Sequence, residues 1–238
     1  MKDTIKLGAP VRMIAHRGVC GLERENTCAA FVAAGNRSYY GVETDVHRTA
    51  DGKFIIIHDD TTERVTGISC TVEETDFDTL RTLRVKDLDG SFRGDLLFPS
   101  LEEYIKICKK YDKEAVLELK NHFEPKDIKA IIAIIREIGW LERTTFISFD
   151  LPNMLCIREM LPDQKAQYLV EAFGDDLLDI LKKNHLDLDI YYRGINAEQV
   201  KACHEAGILV NVWTVNDPED GKRLAEYGVD FITSNILE

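Results

Sequence analysis

A chain of 238 residues, 45% hydrophobic and 30% charged, has the composition of an ordinary globular protein, neither disordered nor membrane-spanning. Its formal charge of −12, without a long basic run, argues against a nucleic-acid partner held by counterion release. The same negative surface opposes anionic membranes, so any phosphate site has to be locally positive.

The start, Met1 to Gly8, lacks the apolar core of a signal peptide, and no stretch approaches a transmembrane helix, so a cytoplasmic protein is expected. Cys20, Cys28, Cys70, Cys108, Cys156 and Cys203 form no Cys-x-x-Cys pair and read as reduced, mostly buried thiols. Short apolar runs then recur, each followed by an amphipathic stretch. Strands are expected at 11–15, 42–46, 115–119, 145–148, 167–170, 188–192, 208–213 and 229–233. Helical spacing occupies 26–34, 100–111, 125–138, 152–160, 175–183, 197–206 and 218–227. Ser100 and Asp217 stand as N-caps, while Gly139, Gly207 and Gly228 close their helices.

Alternation of β and α in a chain of this length fits an α/β fold of the (β/α)8 TIM barrel type. An open nucleotide-binding sheet would need a Gly-rich first turn, which is missing. Residues 1–238 read as a single domain. From 59 to 98 the connection is too long and polar for a simple loop, yet carries Phe77, Leu80, Leu83, Phe92 and Leu97; it reads as an insertion capping the barrel mouth.

Ionisable residues fall where the strands end: His16-Arg17, Glu43-Thr44-Asp45, His58-Asp59 and Glu118-Leu119-Lys120. Glu43 and Asp45 are two apart on one strand and so share a face. With Glu118 they would form an all-oxygen cage for one divalent cation, Mg²⁺ or Ca²⁺. His58 ends the run Phe54-Ile55-Ile56-Ile57, where an ionisable side chain is out of character. His47, His122, His185 and His204 lie in polar or helical surroundings that call for no function, although His122 is close to Lys120.

Ile14-Ala15-His16-Arg17-Gly18, Glu25-Asn26-Thr27, Gly41-Val42-Glu43-Thr44-Asp45-Val46, His58-Asp59, Glu118-Leu119-Lys120 and Val212-Trp213-Thr214-Val215-Asn216 together resemble the glycerophosphodiester phosphodiesterase family. Arg64, Thr66 and Gly67 continue the likeness into the insertion, and Gly228-Val229-Asp230 carries it to the last strand. The resemblance implies the barrel of the phospholipase-C-like phosphodiesterases and cleavage of a glycerophosphodiester to sn-glycerol 3-phosphate and an alcohol. It also implies that Glu43, Asp45 and Glu118 hold the metal, that His16 and His58 serve as general acid and base, and that Arg17 and Lys120 bind phosphate. Trp213 would wall the pocket. Arg24 stands in place of a usual proline, Thr62 in place of a leucine, and Thr233-Ser234-Asn235 where an Asp commonly follows the last strand's Thr. None of the three is expected to touch the metal or proton-transfer groups.

Other readings are a lysophospholipid-directed phosphodiesterase, a catalytically silent binding protein of the same fold, and a Schiff-base aldolase using Lys120. No basic amphipathic helix supplies a membrane-docking surface, so a small water-soluble glycerophosphodiester is the expected partner. The carboxylate cluster would keep Lys120 protonated and so disfavours the aldolase.

Overall fold

The computed structural model describes residues 3–238. Its strands are β1 (Arg12–Ala15), β2 (Gly41–Arg48), β3 (Phe54–Ile56), β4 (Glu114–Leu119), β5 (Thr144–Ser148), β6 (Ala166–Val170), β7 (Asp187–Tyr191), β8 (Val210–Trp213) and β9 (Phe231–Ser234). All but β3 run parallel in one ring, which closes where β1 pairs with both β9 and β2, the latter through Ile14 against Gly41. The helices are α1 (Cys28–Gly35), α2 (Glu63–Thr66), α3 (Phe77–Thr82), α4 (Leu101–Lys110), α5 (Pro125–Ile138), α6 (Leu151–Met160), α7 (Leu177–Asn184), α8 (Ala197–Glu205) and α9 (Pro218–Tyr227). The fold is the expected (β/α)8 barrel with a small insertion.

Both faces of each barrel strand are covered, which is why the strands read as nearly continuous apolar runs. Side chains still alternate. Ala15, Val42, Val46, Leu117, Leu188, Ile190 and Val212 face the helices, packed with Phe31, Tyr104, Ile128 and Ile131. Ile14, Val116, Ile147, Leu169 and Phe231 fill the interior, with Tyr40 and Trp213 against them. The period of two therefore sends Glu43, Asp45, Glu118 and Asp189 into the barrel rather than out to the helices.

Helix ends follow their local chemistry. The Ser100 side chain accepts from the Glu103 N–H while Glu103 reaches back to the Ser100 N–H, closing a capping box on α4. Asp217 caps α9 ahead of Pro218, and Gly139 and Gly228 end α5 and α9 in the left-handed region. Gly207, also left-handed, lies one residue beyond the Ala206 cap of α8.

The run before His58 differs from the expectation, since residues 54–56 form a strand of their own. β3 turns back antiparallel along the end of β2, pairing Val46 with Ile56, and this carries His58 to the barrel mouth. The insertion that follows packs around Ile55, Ile57, Val65, Val72, Leu80, Val85, Leu96 and Phe98. Phe77 and Leu83 lie beside this small core, but Phe92 is 59% exposed because it sits on a short turn bridged to Lys86. Among the described residues, no helix is long and apolar enough to cross a membrane.

Candidate active site

β2 and β4 lie side by side with Asp45 opposite Glu118 and Glu43 opposite Val116, so all three carboxylates enter the C-terminal mouth. One oxygen from each of Glu43, Asp45 and Glu118 lies within 4.8 Å of the others, and all three residues are buried. Burial, then Asp45 and Glu118, pushes the Glu43 carboxyl well above its usual range. Burial and Asp45 likewise push Glu118 up to about 8, against the pull of Lys120. Asp45 moves the other way: burial would raise it, but Arg17, His58, Lys120 and an amide hydrogen bond hold it low. That amide is Asn26 Nδ2, 2.7 Å from Asp45 Oδ2, with Asn26 itself fixed by the Thr44 hydroxyl at 2.7 Å.

His16 and Arg17 leave β1 through a tight turn in which Arg17 and Gly18 both have positive φ, 51° and 75°. A Cβ on Gly18 would meet Ala30 Cβ at 2.6 Å, so only glycine fits. The turn places the Arg17 N–H 2.8 Å from Glu43 Oε2 and the guanidinium between Glu25 at 2.9 Å and Asp45 at 3.5 Å. Arg17 Nε is buried and makes no hydrogen bond. Lys120 Nζ sits 2.8 Å from Glu118 and 3.8 Å from Asp45. Burial works to strip its proton, but Glu118 and Asp45 outweigh that and keep Lys120 charged, which disfavours a nucleophilic amine.

The two expected histidines converge on the same cavity as Arg17, Glu43 and Glu118. His16 Nε2 lies 3.9 Å from Glu43, and its Nδ1 is 2.6 Å from Asn235 Oδ1. Burial, then Arg17, lowers its pKa to about 4. Asn235 therefore does touch a proton-transfer candidate, contrary to expectation, because β9 closes the ring beside β1 and ends next to His16. His58 Nδ1 is 2.6 Å from Asp59 Oδ1, and burial lowers its pKa also. Trp213 lines the cavity, edge-on to Phe149 with ring centroids 5.6 Å apart.

Several residues that hold the site were given no role in the reading of the sequence. Arg64, on α2 of the insertion, is 2.6 Å from Asp59 and 2.7 Å from Glu25, which also holds Arg17. A chain of charges thus ties the insertion to the first barrel loop. Arg24 adds to it, donating to the carbonyls of Lys86 at 2.5 Å and Asp87 at 2.7 Å. His47 is fully buried on β2, with its ring 3.1 Å from Glu73 and 3.3 Å from the His58 carbonyl. His122 pairs with Asp150 at 3.1 Å instead of entering the cavity. Asp189, on β7, does line the cavity; burial, then Glu118, raises its carboxyl well above the usual range.

Parallel barrels of eight strands work at the C-terminal ends of those strands, and the charged residues of this chain converge there, so it is a (β/α)8-barrel enzyme. Residues 16–237 match the Glycerophosphoryl diester phosphodiesterase family, and the chain belongs to it. It is 29% identical over 230 residues to a glycerophosphodiester phosphodiesterase of Caldanaerobacter subterraneus, covering 95% of this chain and 94% of that protein. It is 26% identical to glycerophosphodiester phosphodiesterase 1 of Mus musculus, over 96% of this chain and 79% of that one. Among solved structures, a phosphodiesterase of Oleispira antarctica in complex with the product sn-glycerol-3-phosphate superposes with a TM-score of 0.87 at 26% identity, covering 97% and 96% of the two chains.

Proposed function

We propose that this protein hydrolyses small water-soluble glycerophosphodiesters to sn-glycerol 3-phosphate and an alcohol, with one divalent cation, Mg²⁺ or Ca²⁺. The observation that carries the reading is the cluster of three buried carboxylates, two of which, Glu43 and Glu118, line one cavity with His16, His58 and Arg17. Family membership and the product held by the Oleispira relative support it.

Glu43, Asp45 and Glu118 would hold the cation. Oxygen ligands at roughly 2.1–2.5 Å from a hard ion lie about 3–5 Å from one another, which suits their spacing. The upward shift of Glu43 and Glu118 supports the same assignment, because carboxylates that oppose each other in a buried cluster call for a positive partner. Such an ion supplies charge neutralisation at the phosphate.

Arg17 and Lys120 bind phosphate oxygens; Arg17 Nε, which faces Asp45 at 3.5 Å without a hydrogen bond, is the donor left for one of them. The imidazoles divide the proton transfers according to their partners. Asn235 is neutral, so His16 Nδ1 donates to it and Nε2 stays an acceptor; burial keeps that ring unprotonated, as a general base must be. Burial lowers His58 as well, but the Asp59 carboxylate at its Nδ1 works against that and favours an imidazolium, so of the two rings His58 is assigned as the general acid that protonates the leaving alkoxide. Trp213 walls the pocket. In this reading the chain acts as one domain, with residues 59–98 drawn over the mouth through Arg64, and its six free cysteines suit the reducing cytoplasm.

A screen of glycerophosphodiesters with Mg²⁺ and with Ca²⁺, scored for sn-glycerol 3-phosphate by a stereospecific dehydrogenase, tests the proposal. Release of the isomeric pair instead, free glycerol plus the phosphorylated alcohol, would reject it.

A further inference from the structure

Asp189 lies in the site and takes no part in the chemistry above. Its strand neighbours Leu188 and Ile190 face the helices, so its side chain enters the barrel and lines the cavity shared by His16, His58 and Trp213. The residue is 2% exposed, yet its Oδ1 has no hydrogen-bond partner. Asn211, opposite it on β8, reaches the carboxyl group but leaves Oδ1 without a partner, and it is shared with Gln167 and Thr233. Asn211 Nδ2 is 3.4 Å from Gln167 Oε1, and Asn211 Oδ1 accepts from the Thr233 hydroxyl at 3.2 Å. Ile147, Leu169 and Phe149 offer no side-chain donor, and the indole N–H of Trp213, itself without a partner, makes no hydrogen bond to Asp189. A buried oxygen left without a partner costs about 1–3 kcal/mol, a cost that a ligand donor removes on binding.

We propose that Asp189 recognises the terminal hydroxyl of the glycerol unit, which rests on the reading of the substrate as a glycerophosphodiester. The phosphate is held on the side of β1, β2 and β4, where Arg17, Lys120 and the carboxylates lie, and β7 stands across the ring. The glycerol carbon farthest from phosphorus carries the terminal hydroxyl, so that hydroxyl is the one that reaches across. A carboxyl group in either protonation state leaves a lone pair to accept from O–H. The glycerol unit is also the constant part of such diesters, while the alcohol varies. A buried, rigid contact belongs with the constant part, and the open mouth takes the variable one.

The test compares kcat/KM for a glycerophosphodiester and for the matching 1,2-propanediol phosphodiester, which lacks only the terminal hydroxyl. Sites built to hydrogen-bond a substrate hydroxyl reject the analogue without it strongly, so the parent should prefer the glycerol substrate by ~10²-fold or more. Asp189→Leu should bring the two substrates within ~10-fold of each other by lowering only the glycerol rate, and Asp189→Asn, which keeps a carbonyl acceptor, should retain most of the preference. Undiminished preference in a folded Asp189→Leu protein with parental metal affinity overturns the proposal; Asp189→Ala serves the same purpose if the leucine variant does not fold. Turnover of both substrates by the parent without preference also overturns it, alone. Turnover of neither overturns the functional reading, and this one with it.

Discussion

Replacing Glu118 with Gln should make the metal-free protein more stable at pH 8 while destroying its response to metal. Burial and Asp45 raise the Glu118 pKa to about 8 from the ordinary 4.5, and its side chain is only 10% exposed. A carboxyl raised on folding contributes stability that is complete below the unfolded pKa and is lost as pH rises through the folded one. The window here runs from pH 4.5 to about 8. At 1.36 kcal/mol per unit, the parent should lose roughly 3 kcal/mol between pH 5 and pH 8 through this group. Gln has the same shape and nothing to ionise, so it escapes the loss. For a chain of this size, 1 kcal/mol moves Tm by about 2–4 °C, which makes the expected gain at pH 8 roughly 6–12 °C, with little or none at pH 5. Thermal melts in chelator at both pH values measure this, and a second pair with Mg²⁺ or Ca²⁺ should stabilise only the parent. A Gln variant less stable than the parent at pH 8, or shifted equally at both pH values, would refute the reasoning.

His16→Ala and His58→Ala should each lower turnover by ~10²-fold or more with circular dichroism unchanged, and near-parental rates in both would remove them from the chemistry. Arg64→Ala releases Asp59 and Glu25 together, so kcat should fall ~10-fold and the pH–rate profile should shift, as when an outer partner orienting an active group is lost. An unmoved profile would make Arg64 a surface contact only. Leu80→Ala removes a fully buried side chain from the insertion's small core, at a cost of about 2–5 kcal/mol. Limited proteolysis should then cut first within 59–98 while the barrel remains intact; first cuts elsewhere would contradict that core's independence.

Much of the barrel was legible because strands covered on both faces leave long apolar runs, and because caps such as Ser100 and Asp217 mark helix starts chemically. Glu43, Asp45 and Glu118 stood out for the same reason, as charges inside such strands. The short β3 merged with the run leading to His58, since three residues are too few to show a period. Other site features depend on distance across the fold. Arg64 meets Glu25 across 39 positions and His16 meets Asn235 across 219, so neither pair has a local signature. Asp189 alternates with Leu188 and Ile190 as Asp187 does, and only ring closure distinguishes the one that lines the cavity with Glu118. His47 looked like part of a polar strand end, whereas β3 folds back over it and buries it.

The most direct test is release of sn-glycerol 3-phosphate from glycerophosphocholine or a related diester by the purified protein, followed through chelation and restoration of the cation. Steady turnover that stops with chelator and returns with Mg²⁺ or Ca²⁺ is the expected result. Metal-loaded, folded protein that turns over no glycerophosphodiester would contradict the assignment and leave a binding protein on the same barrel.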